Sequence, residues 1–324
     1  MNTTLSRWKL FFTAILLMLL FLALHACTAS HGKATNAPTT EPAQATFGSP
    51  DSAAQALVDA VQANNLPLLS QILGPGSDQI ISSGDAVADQ QNRRNFVDEY
   101  DEKHQLDANS DGSETLCVGS DDWPLPIPIV PVADRWRFDS QAGLNEMLNR
   151  RIGKNELSTI QVCLAIVDAQ RDYAERDMGG GDLPEYAQKF LSDPGTTDGL
   201  YWPVAKGEPQ SPLGPLVADA AEEGYAMTNP PPQAYHGYFY RILKSQGPNA
   251  PGGAMDYVVN GQMIGGFAVV AWPAQYGNSG VVTFLVSYEG VVYQKDLGPD
   301  TNSIALAMSS YDPDSSWKPA ENPQ

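Results

Sequence analysis

The segment Asp107-Ala108-Asn109-Ser110-Asp111-Gly112 carries acidic and amide side chains at alternating positions. Asp107, Asn109 and Asp111 correspond to positions one, three and five of a calcium-binding loop. The twelfth position of such a loop holds a bidentate acid, but here it is Val118. A polar hairpin turn with Asp-Gly at its tip explains the same residues. Calcium binding and a plain turn are therefore both open interpretations of these residues.

Histidine is the other source of possible chemistry, and beyond residue 46 the chain has His104 and His236. His104 ends an acidic run that could hold a cation but is typical of a solvated helix face. His236 lies between a tyrosine and a glycine at a predicted strand start, where it could act as a general base. Gly277-Asn278-Ser279-Gly280 is not a nucleophile elbow, because its second glycine comes one residue early. One functional hypothesis is a hydrolase that uses His236 with an acidic partner.

Aromatic residues cluster around loops rich in proline and glycine. They are Tyr201, Trp202, Tyr225, Tyr235 and Tyr238. Such side chains could line a groove for a glycan or a protein. Packing of long loops onto a sheet is the alternative explanation. None of these patterns implies a cofactor.

The start of the chain has the composition of an export signal. Arg7 and Lys9 precede a run, Leu10–Leu24, that is apolar apart from one threonine. This run is short for a spanning helix, which needs about 20 apolar residues. A small residue, Ala26, precedes Cys27, as at the cleavage site of an export signal. Residues 1–26 are therefore predicted to be a signal peptide, with a plain cleaved signal or an uncleaved anchor as alternatives.

The segment Leu24-His25-Ala26-Cys27 resembles the lipoprotein box of bacterial lipoproteins, with a histidine where a small residue is usual. The resemblance implies that Cys27 becomes the acylated first residue, carrying palmitate-type chains that anchor the protein in the membrane. Thr28 follows the cysteine instead of aspartate, which implies the periplasmic face of the outer membrane. The expected location is therefore the bacterial cell envelope.

The charge of the chain narrows its possible partners. There are 19 basic and 38 acidic residues, a net charge of −19. Because two of the basic residues and none of the acidic ones lie in the signal segment, the processed chain is more acidic still. A field of this sign repels nucleic acid, so nucleic-acid binding is excluded as a function.

Two cysteines, Cys117 and Cys163, lie beyond the anchor. In an oxidising envelope they could pair. Because Cys117 lies in a strand-like run and Cys163 on the apolar stripe of a helix, buried free thiols are favoured. The absence of a CxxC motif and of a matching histidine cluster argues against a zinc site.

Composition shifts divide the rest of the chain. Residues 27–46 are predicted to be a disordered tether, 47–139 an N-terminal α+β domain and 311–324 a polar tail. In the first domain, helices are expected near Ala54–Val61, Leu66–Leu73 and Asp89–Lys103. The expected strands are His104–Leu106, Glu114–Val118, Leu125–Val130 and Arg135–Phe138. Helices followed by an antiparallel sheet indicate an α+β fold, and the order resembles the cone-shaped domains of the nuclear-transport-factor-2-like class.

The predicted strand Leu125–Val130 is preceded by a proline and contains two more at alternate positions. All three missing amide donors would lie along the same edge. The sequence therefore predicts an edge strand that cannot pair with another chain. Burial of the interleaved leucine and isoleucine argues against a proline-rich recognition motif.

Residues 140–310 are predicted to form a second domain, in which a long helix packs on an antiparallel meander. The helix extends from residue 140 to the glycines at 179–181, and Gly153 could kink or divide it. A loop-rich stretch, 182–233, follows. The expected strands are Tyr235–Leu243, Met263–Trp272, Gly280–Tyr288 and Val291–Gln294.

Several spaced segments together resemble the bacterial family called domain of unknown function 2950, over nearly the whole processed chain. They include Asp121-Asp122-Trp123-Pro124, Asn149-Arg150-Arg151-Ile152-Gly153, Tyr235-His236-Gly237-Tyr238, Gly265-Gly266-Phe267, Val270-Ala271-Trp272-Pro273 and Tyr293-Gln294-Lys295-Asp296-Leu297-Gly298-Pro299. This resemblance implies no activity.

The second half also resembles the globular heads of type IV pilins and pseudopilins. The segments that carry this resemblance are Val167-Asp168-Ala169-Gln170-Arg171-Asp172-Tyr173, Tyr238-Phe239-Tyr240-Arg241 and Phe267-Ala268-Val269-Val270. Pilins have a long apolar helix leading into this unit, whereas Gln141–Lys154 is polar and charged here. The expected function is a lipid-anchored envelope protein that binds or assembles without catalysis, with an envelope protein or a glycan as partner. The alternative is the hydrolase that uses His236.

Overall fold

A computed structural model describes residues 43–176, 183–226 and 233–321. Within these residues, a group of helices and two main antiparallel sheets confirm the predicted α+β class. Cys27, the predicted signal segment and most of the predicted tether lie outside the described residues. No helix of the described part is both long and apolar enough to cross a membrane.

Four helices open the described part of the chain. They are α1 (Pro50–Gln62), α2 (Leu66–Leu73), α3 (Asp78–Ile81) and α4 (Ala86–Glu102). The side chains of Ser49, Asn65 and Asp85 start α1, α2 and α4 by accepting a hydrogen bond from a backbone amide of the first turn. Because Asp85 is the cap, α4 begins three residues earlier than the sequence predicted.

The first sheet follows these helices and covers their apolar faces. Its strands are β1 (His104–Ala108), β2 (Glu114–Val118), β3 (Trp123–Pro124), β4 (Ile129–Val132) and β5 (Arg135–Phe138). All pairs are antiparallel, in the order β1-β2-β4-β5, with β3 also paired to β2. Helices α1 and α2 and this sheet enclose the first of two hydrophobic clusters.

The proline-rich strand predicted at Leu125–Val130 is wrong in extent and in position. The chain leaves β2 after Pro124, bends at Pro126–Ile127 and pairs again only from Ile129. The missing amide donors of the prolines interrupt the ladder. Strand β4 then lies between β2 and β5, so this segment is not at an edge. The apolar residues between the prolines are buried, as expected.

One long helix, α5 (Ser140–Glu175), extends from the first hydrophobic cluster to the second. Asp139 caps it by accepting the amide of Ala142 at 3.2 Å. The helix continues through Gly153, so this glycine does not divide it. Its C-terminal half buries an apolar stripe against the second sheet, whereas its N-terminal half carries the polar stretch noted in the sequence.

The second half of the chain is built on a five-stranded sheet. The helices are α6 (Gly214–Glu222) and α7 (Thr301–Ala307), and the strands are β6 (Tyr238–Leu243), β7 (Ser245–Gln246), β8 (Met255–Asp256), β9 (Val258–Val259), β10 (Gln262–Met263), β11 (Ala268–Pro273), β12 (Val282–Ser287), β13 (Val292–Asp296) and β14 (Lys318–Pro319). The main sheet has the order β14-β13-β12-β11-β6 with antiparallel pairs, and the other four short strands form two separate pairs. The sequence predicted neither α6 nor α7.

Two hydrophobic clusters organise the described residues, one around the first sheet and one around the second. Both belong to one compact unit that begins at Pro42. The domain boundary at residue 139 stays a prediction.

Cys117 and Cys163 are free and buried. This confirms their interpretation as small hydrophobic side chains. Complete burial raises the pKa of the Cys163 thiol to about 12. The thiol is therefore protonated and unreactive at neutral pH.

Candidate functional site

A cavity of about 980 Å³ opens between α1, α2, α4, the first sheet and the N-terminal half of α5. Glu223, Tyr225 and His236, which come from the second half of the chain, complete its lining. Small-molecule sites in proteins measure about 300–1,000 Å³, so this cavity is large enough for a ligand of drug-like or lipid-like size. It is the candidate functional site.

One part of the cavity lining is apolar and belongs to the first hydrophobic cluster. It is formed by Leu57, Val61, Leu69, Leu73, Phe96, Val118, Leu125, Ile127 and Met147. Helix α4 contributes Phe96 to this lining, and α5 contributes Met147. The cavity therefore lies between these two helices and the apolar side chains of the first sheet. This part of the lining can take up an apolar group from water.

The other part of the lining is polar and charged. It includes Asp89, Asn92, Arg93, Arg150, Arg151, Lys154, Asn155, Ser158, Glu223 and His236. Of these side chains, Arg150, Arg151 and Lys154 come from the polar stretch that separates this chain from the pilin pattern. The stretch is polar because it borders a solvent-accessible cavity instead of a packed core.

Arg151 is a structural cation that joins α5 to its neighbours. Its Nη1 donates to the carbonyl of Gln79 at 2.6 Å and to Oδ1 of Asn278, and its Nη2 donates to the carbonyl of Ile80 at 2.9 Å. Asn155, one turn further along, donates to the carbonyl of Ser279 at 2.8 Å. Burial lowers the pKa of Arg151, but the guanidinium stays charged at neutral pH. These bonds hold the polar part of the lining against the second half of the chain.

Arg93 and Lys154 make fewer hydrogen bonds within the described residues than Arg151 does. Arg93 donates from Nη1 to the carbonyl of Ile81 at 3.1 Å, while its buried Nε has no partner among the described residues. Lys154 is exposed and has no carboxylate within 4.0 Å in the described part of the chain. Both side chains therefore have donors that a ligand can use.

A buried carboxylate, Asp85, fixes the position of His236 relative to α4. Its Oδ2 accepts the hydroxyl of Tyr225 at 2.8 Å and the amide of Gly237 at 2.9 Å. Its Oδ1 accepts the amide of Ala88 at 3.0 Å and caps the helix. Burial and the neighbouring Asp85 raise the pKa of Tyr225 well above its ordinary value, so the phenol stays a donor.

His236 and Gly237 occupy the two central positions of a tight turn. Tyr235 and Tyr238 exchange backbone hydrogen bonds at 2.9 and 3.1 Å across this turn. His236 has φ of 50° and Gly237 has φ of 75°. Positive φ at both central residues is the geometry of a type I′ hairpin turn. His236 lines the cavity, and its ring packs against that of Tyr235 with 4.1 Å between centroids.

The closest acid to His236 is Glu223, with 3.6 Å between Nε2 and Oε2. This distance is longer than a hydrogen bond. Burial lowers the pKa of His236, and the carboxylates of Glu223 and Asp85 oppose this effect. The imidazole is therefore neutral at neutral pH, the form that a general base requires.

We expect the His236→Asn variant to lose part of the pH dependence of stability. Asparagine tolerates positive φ, so the turn is retained. Because the folded-state pKa of His236 is below the unfolded value of about 6.5, the unfolded chain binds the proton first. The wild-type contribution is therefore complete above about pH 6.5 and is lost as the pH falls through the folded pKa. Urea unfolding from about pH 7.5 to 5.5 measures the free energy of unfolding of both proteins. The same pH dependence in the two proteins would contradict a lowered pKa of His236 in the folded state.

Of the predicted calcium residues, Asp107 lies in β1, and Asn109 and Asp111 lie in the loop between β1 and β2. Asn109 donates to Ser113 Oγ at 3.0 Å, and Asp111 Oδ1 accepts both the amide and the hydroxyl of Ser113. Hydrogen bonds from Ser113 also lower the pKa of Asp111. Asp107 points toward Cys117, 3.4 Å from its sulfur. In residues 43–176, 183–226 and 233–321, no cluster of three or more His, Cys, Asp or Glu side chains is arranged to hold a metal ion. Calcium binding stays a prediction.

The remaining sequence candidates are separated in the fold. His104 stacks on Tyr100, with 3.8 Å between ring centroids, and does not line the cavity. Of the five predicted aromatic residues, only Tyr225 lines it, and Tyr238 is fully buried in the second cluster. Asp85, Arg93, Lys154 and Glu223 were not among the site residues that the sequence predicted. The dipeptide His236-Gly237 could have predicted the turn that carries the imidazole, since a polar residue before glycine favours a hairpin turn.

One protein-family model matches residues 44–320, and its description is "Protein of unknown function (DUF2950)". This match covers all of the lining residues of the cavity. No curated protein and no solved structure matches the chain. The weaker resemblances to pilin heads and to cone-shaped domains therefore stay predictions.

Proposed function

The chain belongs to the DUF2950 family, whose description assigns no activity, and from the geometry of the cavity we propose that it is an exported binding protein. In this proposal a small molecule is the ligand, and the protein binds it without transforming it. The single observation that supports the proposal is the 980 Å³ cavity, which joins an unfilled part of a hydrophobic core to a polar lining.

Protein interiors are close-packed, and an unfilled space lined by apolar side chains lowers stability. The apolar lining of this cavity comes from four helices, α1, α2, α4 and α5, and from the first sheet with its β3–β4 connection. A fold that keeps such a space open gains a site for an apolar group at the expense of stability. The polar lining then determines which end of the ligand lies toward solvent.

The cellular setting of this proposal follows from the first 46 residues. Removal of residues 1–26 and acylation of Cys27 would place the binding unit on a tether at the membrane surface, on the periplasmic face of the outer membrane. Two or more acyl chains give stable anchoring, whereas one chain is marginal. The mass of the N-terminal peptide of the membrane-extracted protein tests this setting, and an unmodified Cys27 would contradict it.

A second candidate function, an envelope hydrolase, is favoured by one observation. His236 lines the cavity as a neutral imidazole, with Glu223 close enough to orient it after a small movement. However, no serine, threonine or cysteine in the described residues shares a hydrogen bond with His236. A hydrolase of this kind would have to activate water directly. Complete loss of function in a stably folded His236→Asn variant would favour it over the binding proposal.

We expect the neutral, polarity-sensitive dye Nile red to bind in the cavity and to gain fluorescence there. Because Ala88 lines the cavity and Ala86 is exposed on the same helix, Ala88→Phe fills the space while Ala86→Phe adds the same ring outside it. Dye binding should become about tenfold weaker or undetectable in Ala88→Phe and unchanged in Ala86→Phe.

The dye is titrated into the chain from residue 28 onward, which contains every described element and needs no detergent. The circular dichroism and melting temperatures of the two variants provide the control for folding. Equal dye binding by both variants, or no binding by the wild type, would overturn the proposed function.

A further inference from the structure

The donors that remain available on the polar lining are cationic. Arg93 uses Nη1 for the carbonyl of Ile81, and its buried Nε has no partner in the described residues. A buried donor without an acceptor is destabilising, so an acceptor on a ligand would relieve a defect of the unliganded protein. Lys154 adds three further donors on the facing helix α5 and has no acid within ion-pair distance among the described residues.

The acids of the same lining are either engaged or exposed. Asp89 is buried, and its Oδ2 accepts the amide of Ser83 at 2.9 Å. Glu223 is exposed and lies beside His236, and Glu99 and Asp121 are exposed as well. The charge of Asp89 is already offset by the neighbouring Arg151, so a cationic group that entered the cavity would meet no uncompensated buried acid among the described residues. An anionic group would meet two cations with free donors.

We infer that the ligand is an amphipathic anion, in which a carboxylate or phosphate head group binds Arg93 and Lys154 and an apolar chain occupies the space between Leu69, Phe96 and Ile127. This inference rests on the proposed binding function and specifies its ligand. It extends beyond the family description, which assigns no ligand.

The affinity for an anion must come from short-range contacts in the cavity, because the net charge of the protein is negative. At −19 the chain as a whole repels anions at long range. Attraction must therefore come from charge-assisted hydrogen bonds inside the cavity, which are stronger than those between neutral groups. The apolar chain contributes separately, and each methylene that enters the apolar lining should raise affinity about fourfold, equivalent to ~0.8 kcal/mol.

Displacement of Nile red by four dodecyl compounds tests the inference. The competitors are dodecanoate, dodecyl phosphate, dodecanol and dodecyltrimethylammonium, each below the concentration at which it aggregates. We expect both anions to displace the dye at about tenfold lower concentration than the alcohol, because a charge-assisted hydrogen bond contributes about 1.5–3 kcal/mol. The relative strength of the two anions distinguishes a fatty-acid-like ligand from a phosphate-bearing one.

Matched variants locate the head group. Arg93→Gln and Lys154→Gln should each reduce the preference for anion over alcohol by about tenfold, measured as the ratio of the two displacement concentrations within each variant. Arg94→Gln is the control, because Arg94 is the exposed neighbour of Arg93 and does not line the cavity. Arg93→Lys keeps the charge and should retain most of the preference.

The outcomes separate this inference from the proposed function. Equal displacement by dodecanoate and dodecanol, or stronger displacement by the trimethylammonium compound, would overturn the anionic ligand while leaving the binding function intact. An unchanged anion preference in both Arg93→Gln and Lys154→Gln would also overturn it. Failure of Nile red to bind the wild type would instead overturn the binding function itself.

Discussion

Replacing Asp85 by alanine is expected to lower the free energy of unfolding by about 3–5 kcal/mol. Two donors, the hydroxyl of Tyr225 and the amide of Gly237, would lose their acceptor, and each unsatisfied buried donor costs about 1–3 kcal/mol. Loss of the cap on α4 adds about 1 kcal/mol. The same change releases the turn that carries His236, so Nile red binding should weaken as well.

Urea unfolding of three variants measures this effect. Tyr225→Phe removes one donor together with its bond, and we expect a loss of about 1–2 kcal/mol. Asp98→Ala is the matched control, since Asp98 is an exposed aspartate within α4, where alanine is the better helix former. A loss below about 1 kcal/mol in Asp85→Ala would show that the carboxylate does not hold the two halves of the chain together.

The Gly143→Ala variant is expected to be less stable than the wild type by about 2 kcal/mol, although alanine is the better helix former. A Cβ at position 143 would lie 2.5 Å from the carbonyl oxygen of Pro126 and 2.9 Å from the Cα of Ile127. Both atoms belong to the backbone of the bend between β3 and β4 and cannot rotate away as a side chain could. Helix α5 would therefore have to move from the bend that Pro126–Ile127 makes, and this movement would disturb the cavity.

The control for this prediction lies ten residues further along the same helix. A Cβ at Gly153 meets nothing within 4 Å. Gly153→Ala should therefore stabilise the protein by about 0.5–1 kcal/mol, because it removes backbone freedom from the unfolded chain. Thermal and urea unfolding give the sign of each change. Two shifts of the same sign would contradict the close packing of α5 on the first sheet.

Local signals in the sequence were sufficient for much of the fold. The boundaries of Leu66–Leu73, Glu114–Val118 and Arg135–Phe138 were predicted to the residue, because capping residues and short β-branched or aromatic runs act over a few positions. The α+β class followed from the order of these elements. The helices α6 and α7 were missed, because α6 lies in a loop-rich stretch and begins with Gly214-Pro215, and α7 has only seven residues and follows Gly298-Pro299.

The site could not be predicted in the same way, because long-range contacts build it. Asp85 lies 140 positions from Tyr225 and 152 positions from Gly237, and nothing in their local sequences links them. The polar stretch of α5 was visible in the sequence as a departure from the pilin pattern. The sequence does not show that this stretch lines a cavity, because the facing residue, Arg93, comes from the separate helix α4.

The most direct test of the binding function is photo-crosslinking in intact cell envelopes with a fatty acid that carries a diazirine in its chain. The full-length protein is isolated afterwards, and the labelled peptides are identified by mass spectrometry. We predict labels on peptides that contain Leu69, Phe96 or Ile127, with strong loss of labelling in the Ala88→Phe variant and no loss in the Ala86→Phe variant. Labels confined to peptides outside the cavity, or equal labelling of the two variants, would contradict the account.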